Sequence, residues 1–90
     1  MIIGRVIGTI VASRKHERLV GSKIQIVQPL DPHLQAAQGY PIVAVDAVGA
    51  GVGELVLLTL GSGARKATDN PDAPVDATIV GIIDQMDVAG

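Results

Sequence analysis

The sequence predicts an all-β fold, and three features predict it. First, 48% of the residues are hydrophobic but Tyr40 is the single aromatic. The apolar content is Val, Ile, Leu and Ala, and β-branched side chains suit a pleated surface better than a helix. Second, these residues come in short runs bounded by glycine, proline and Asn/Asp, the pattern of strands joined by turns. Third, 11 glycines sit at the ends of runs and inside them, where a chain bends or takes positive φ.

The elements follow in order. The first strand runs from Ile2 to Ala12, with Ile2, Val6 and Ile10 on its even positions and Ile3, Ile7 and Val11 on its odd ones, so both faces are apolar. Gly4 and Gly8 share the even face, where small residues permit a sharp bend. Residues 13–18 are polar and read as a turn. Strand two spans Ser22 to Gln28, with Ile24 and Ile26 on one face. Residues 29–40 form a connection holding Pro29, Pro32 and Gly39, with one helical turn expected over 34–37. Strand three spans Pro41 to Ala47 and strand four Glu54 to Leu60. The loop between them is opened by Asp46, closed by Glu54, and carries Gly49, Gly51 and Gly53. Ser62 to Lys66 reads as a short helix with Ser62 as N-cap. Residues 67–74 are turn chemistry throughout, and strand five runs from Val75 to Met86 with Gly81 near its middle. Five short strands with bending glycines predict a small OB-like barrel with one short helix. The 90-residue length predicts one domain over residues 1–90.

Strands one, four and five are apolar on both faces, whereas a barrel this small has one interior and its outer face should alternate with polar residues. Leftover apolar surface of this kind marks a permanent protein interface. The competing reading is scattered surface Val and Ile, common in monomers.

Chemistry is sparse. The net charge of −2 predicts no strong field toward a charged partner. Without cysteine there is neither a disulfide framework nor a thiolate metal site. His16 and His33 lack a second ligand at metal-binding spacing and read as solvated loop residues. Asp46 and Glu54 form a carboxylate pair, but acid–base work needs a cleft that perturbs them. Their structural role, accepting backbone N–H bonds in the glycine loop or pairing with Arg65 across an interface, is the stronger reading. GAGVG over residues 49–53 is followed by a strand, whereas a dinucleotide fingerprint opens a helix. Residues 61–65 lack the Lys-Ser/Thr of a phosphate-binding loop. Binding of single-stranded nucleic acid uses aromatic platforms and a basic groove, and this chain has one Tyr and seven Lys plus Arg. No signal peptide is evident in MIIGRVIG and no apolar run spans a bilayer. A cytoplasmic β domain with no cofactor, metal, nucleic-acid or membrane partner is therefore expected.

Four segments carry a family resemblance: GRVIGTIVASRK, SKIQIVQPLD, VAVDAVGAGVGELVLLTLGSGAR and PVDATIVGIID. Together they resemble the EutN/CcmL family, vertex proteins of bacterial microcompartments such as carboxysomes. The run D-x-V-G-A-G-x-G-E followed by G-S-x-A-R is the most specific part, and the resemblance extends from Met1 to about Asp87. Gly63 stands where many members have Ser or another small residue. The resemblance implies a non-enzymatic β-barrel that forms homopentamers at the vertices of a shell whose facets are hexameric proteins. In such a ring Asp46, Gly49, Gly51, Gly53, Glu54 and Arg65 are expected at loops and interfaces, with Ser62 and Gly63 at the central pore. The alternative is a stand-alone OB-like module for a small ligand or single-stranded nucleic acid.

Overall fold

The computed structural model describes residues 1–12, 17–19, 21–33, 35–68 and 75–89, with the backbone alone at position 18. Five strands close into a barrel: β1 (Ile2–Ile10), β2 (Lys23–Pro29), β3 (Ile42–Asp46), β4 (Leu55–Leu60) and β5 (Ala77–Ile82). A five-residue helix, α1 (Ser62–Lys66), lies between β4 and β5. Around the barrel the order is β1-β2-β3-β5-β4, with β4 pairing back onto β1. All neighbours are antiparallel except β3 and β5, whose parallel contact closes the sheet.

The interior is narrow and mostly aliphatic. Val6, Val27, Val56, Leu58 and Ile79 fill it, with Ala44, Ala50 and Ala77 where less room remains. Burying each branched side chain contributes about 1.5–3 kcal/mol. Gly4 marks the tightest point. A Cβ there would lie 2.5 Å from Val27 Cγ1 and 2.9 Å from the Gln28 carbonyl oxygen, both on the adjoining strand. Ala64 and Val75 form a second, smaller cluster with Leu19 and Val45 beneath α1.

The two-faced apolar pattern has a specific cause. In β1, Val6 pairs with Val27 but Gly8 pairs with Ile26, so Ile7 is an extra residue in a β-bulge. Before the bulge Ile3 and Arg5 point outward; after it Gly8 and Ile10 do. A second bulge at Val80 does the same in β5, because Leu57 pairs with Gly81 and Leu58 with Ile79. Gly4 and Gly8 therefore do not share a face, contrary to the simple alternation. Gly4 faces the interior, whereas Gly8 faces outward beneath Ile26 Cδ1, 3.4 Å from where a Cβ would stand.

Other boundaries differ from the sequence expectation. β1 stops at Ile10, β2 extends through Pro29, and β5 covers Ala77–Ile82, so Gly81 lies near its end. The helical turn expected over 34–37 is replaced by an antiparallel bridge between Leu30 and Ala37, with Gln35 at φ 51. Hydrogen bonds from Asp31 N to the Ala36 carbonyl and from Gln38 N to the Pro29 carbonyl hold this loop. Leu34 lies outside the described residues, as do most of the expected turns at 13–18 and 67–74 and His16. Glu17–Leu19 form a single 3-10 turn.

Candidate functional site

The glycine loop is organised from its first residue. Asp46 ends β3 with its side chain fully buried. One carboxylate oxygen accepts the Val48 and Gly49 N–H groups, both at 2.9 Å. The other accepts Ala50 N–H at 2.7 Å and the Gln25 side-chain amide at 3.4 Å. Such charge-assisted bonds are about twice as strong as neutral ones. They wrap residues 48–50 around the carboxylate and turn Ala50 into the core, where it is 0% exposed.

Burying that peptide requires partners for its carbonyl too. The Ala50 oxygen accepts from Gln25 Nε2 and from Lys23 Nζ, each at 2.7 Å. Lys23 is the cross-strand partner of Asp46, and its ammonium lies 4.0 Å from the carboxylate. Gln25 is 0% exposed among aliphatic side chains, and its own oxygen accepts from Thr9 Oγ1 at 2.6 Å. No buried side-chain polar atom among the described residues is left without a partner.

The far side of the loop is tied to β1. Gly53 N donates to the Val6 carbonyl at 2.8 Å, Val6 N donates to the Glu54 carbonyl at 3.0 Å, and Arg5 Nη1 donates to the Gly53 carbonyl at 2.8 Å. Glu54 Oε1 accepts Gly51 N–H at 2.6 Å. Gly49 and Gly53 have φ of 80° and 92°, a left-handed backbone that side chains resist. Gly51 does not; a Cβ there would instead meet Glu54 Oε1 at 3.3 Å. Val48 and Val52 remain exposed at the tip.

Asp46 and Glu54 are thus brought into one loop but serve separate backbone segments. Arg65 is elsewhere, in the last turn of α1, half-buried; its guanidinium makes no hydrogen bond to another described residue. Ser62 is exposed and does not cap the helix, correcting the expectation. Gly61 occupies the N-cap with φ 63 and ψ −136, and no side chain bonds the helix entry. The reason is conformational: that backbone is open to glycine alone, so the chain turns into the helix one residue before Ser62. Ser62 is then the first helical residue. Gly63 packs against β4, where a Cβ would approach Thr59 Oγ1 to 2.7 Å. α1 is fastened by Thr78 Oγ1, buried, donating to the Ala64 carbonyl at 2.8 Å.

The pattern of these groups is that of a scaffold. The Asp46 carboxylate is sealed from solvent with its lone pairs engaged, which leaves it nothing to offer a substrate. Among the described residues no three His, Cys, Asp or Glu side chains gather to hold a metal, and no helix is long and apolar enough to cross a membrane. His33 lies on the surface with Nε2 3.2 Å from the Ala89 carbonyl oxygen.

Lys23, Gln25, Arg5 and Ala50 did not stand out in the sequence. Gln25 carried a signal: a lone amide within the aliphatic run Ile24–Val27, at the same parity as buried Val27.

The outer surface supplies the other notable feature. Across β1, β2 and β3 the pairings Ile10–Ile24–Val45 and Gly8–Ile26–Val43 form two outward rows without a charge. Val43 is 53% exposed and the remaining side chains are half-buried. Across β1, β4 and β5 a third row runs Ile3–Leu57–Gly81, also half-buried and uncharged.

Comparison with known proteins gives consistent results. A family model described as "Ethanolamine utilisation protein EutN/carboxysome" matches residues 1–84. The carboxysome shell vertex protein CcmL of Synechocystis sp. is 47% identical over 99% of this chain and 88% of its own length. The bacterial microcompartment shell vertex protein PduN of Salmonella typhimurium is 43% identical over 96% of this chain and 98% of its own. Among solved structures, the GrpN pentameric microcompartment shell protein from Rhodospirillum rubrum superposes with a TM-score of 0.89 at 39% identity, covering 99% of this chain and all of that one.

Proposed function

The chain belongs to the EutN/CcmL family, and from that premise we propose that it is a structural protein whose homopentamers cap the vertices of a bacterial microcompartment shell. The observation that carries the proposal is the match, nearly end to end, to shell vertex proteins and to a pentameric shell protein of the same fold. The geometry supports it. Every strong polar group near the glycine loop is engaged in holding backbone, and uncharged apolar rows remain on the outer face of the barrel. Its work is recognition between protein subunits and not chemistry on a substrate. Hexameric shell proteins are the expected neighbours around the ring.

The test is co-expression with hexameric shell proteins, with and without this chain. Closed polyhedral particles are expected with it, and open sheets or tubes without it. Light scattering on the isolated chain is expected to give five times the 9.2 kDa subunit mass. A monomer at micromolar concentration would refute the reading and favour the stand-alone binding module.

A further inference from the structure

We infer that residues 31–38 form a releasable strap on the barrel wall and that Arg5 is its latch. The segment leaves the end of β2 and returns toward β3. Among its described residues none is buried and only Asp31 is half-buried. Segments with so little burial open locally at low cost. The backbone bonds are local. Asp31 N donates to the Ala36 carbonyl and Gln35 N to the Asp31 carbonyl, each at 2.8 Å, and Gln38 N donates to the Pro29 carbonyl at 2.9 Å. These bonds close the segment on itself and on its own base.

The strap also works against its own backbone. Gln35 has φ 51, and among the described residues no other residue apart from glycine has a positive φ. A left-handed backbone costs a residue with a Cβ about five- to thirtyfold in population. Asn and Asp offset part of that cost with a short side chain bonded locally, which Gln does not have. Arg5 supplies the hold from outside. It points outward from β1, with Nη1 donating to the Gly53 carbonyl at 2.8 Å and Nη2 donating to Gln35 Oε1 at 3.3 Å. A guanidinium is a planar, rigid fork. With one arm seated on the glycine loop, which the Asp46 carboxylate holds, the other arm is fixed where it meets Gln35. The latch takes its rigidity from the glycine loop.

What the strap controls lies beside it. Pro32 and Gln38, with Leu30 at the base, wall one side of an apolar concavity of about 400 Å³ whose other side is Met1, Ile3 and Leu57. Neither Arg5 nor Gln35 lines that hollow, so their contact sets its shape from outside. Once released, the strap carries Pro32 and Gln38 away and the hollow opens.

The test is amide hydrogen exchange on the full chain at one pH and one protein concentration. It is read at Asp31 and Gln38, whose N–H groups close the strap, and at Gly53, whose N–H is bonded to Val6. Arg5→Met is expected to speed exchange at Asp31 and Gln38 about tenfold, within the range that a left-handed residue costs. Gln35→Leu keeps the strained backbone but loses the acceptor. It is expected to give the same acceleration while Gly53 keeps its wild-type rate, and at an exposed position it serves alone if Arg5→Met fails to fold. Gln35→Gly is expected to stay within about twofold of wild type, because glycine takes the left-handed backbone freely. Adding Arg5→Met to Gln35→Gly is expected to change nothing further at Asp31 and Gln38. Unchanged exchange in Gln35→Leu overturns the inference, and so do Asp31 and Gln38 amides that already exchange at the unfolded-chain rate in the wild type. Equal acceleration by Arg5→Met with and without Gln35→Gly overturns it too, since the arginine would then merely stiffen the barrel. None of these results touches the vertex reading, which rests on no contact of the strap.

Discussion

Asp46→Asn is the sharpest probe of the loop. The carboxylate accepts four N–H donors, two on each oxygen, with the Lys23 ammonium beyond. Asparagine keeps one acceptor oxygen. If that oxygen serves Val48 and Gly49, the new NH₂ points at the Ala50 N–H and the Gln25 amide, so donors face donors. If the amide flips, the Val48 and Gly49 bonds are lost instead. Either way two acceptances disappear, and the partly buried Lys23 ammonium loses its counter-charge. Each orphaned buried donor costs about 1–3 kcal/mol, and the ion pair to Lys23, whose side chain is 46% exposed, adds at most about 1 kcal/mol. With two donors orphaned, the expected loss is roughly 3–5 kcal/mol. For a domain of this size the lower figure lowers Tm by about 12–24 °C. The assay is thermal unfolding at one fixed protein concentration, since ring formation makes Tm depend on concentration. A Tm within about 4 °C of the wild type, less than roughly 1 kcal/mol, would show that the carboxylate does not hold the loop. Glu54→Gln, which alters one exposed bond to Gly51 N–H, provides the mild comparison.

Gly49→Ala and Gly53→Ala are each expected to cost about 1 kcal/mol, because both positions hold positive φ; Gly51→Ala should cost less, and equal losses at all three in denaturant melts would contradict that ranking. Gly63→Ala is expected to destabilise through its approach to Thr59 Oγ1 and to be neutral in a Thr59→Ala background. A double-mutant cycle showing simple additivity would remove that coupling. Arg65→Lys is expected to weaken the ring without unfolding the subunit, since a guanidinium can engage several acceptors in a plane and an ammonium cannot. Dilution followed by native mass spectrometry measures this, and an unchanged ring with altered anion binding would point to a ligand role.

Much of the fold was legible because aliphatic runs and glycine punctuation are local signals. Strands, the glycine loop and α1 all follow from them. Facing was less legible. A bulge adds one residue to a strand and inverts every position after it, and nothing at Ile7 or Val80 distinguishes an extra residue from a paired one. Gly4 and Gly8 consequently looked alike and are not: one is excluded from bearing a side chain by Val27, the other lies under Ile26 on the surface. Helix entry was misplaced for a related reason, since Ser62 is a common N-cap residue but Gly61 alone fits the backbone required. The polar support of the loop was hidden because Lys23, Gln25 and Arg5 reach it across strands, at separations of 25 to 48 residues for Gln25 and Arg5.

The bulge at Ile7 makes the strand a mechanical adaptor whose setting is one residue. Deleting Ile7 would set Val6 and Gly8 opposite Val27 and Ile26 in plain alternation and leave Gly8, Thr9 and Ile10 on the faces they now hold. Keeping Ile7 but forcing it into the ladder is the damaging change: Gly8 and Ile10 would turn inward, and Thr9, the hydroxyl that orients the Gln25 amide, would be carried to the outside. Loss of the bulge with the residue retained would thus disconnect the interior polar chain and erase a surface row together. Sequence drift at the neighbouring outward positions is tolerable one side chain at a time; a shift of register here is not. Register, more than residue identity, is what this part of the chain has to preserve.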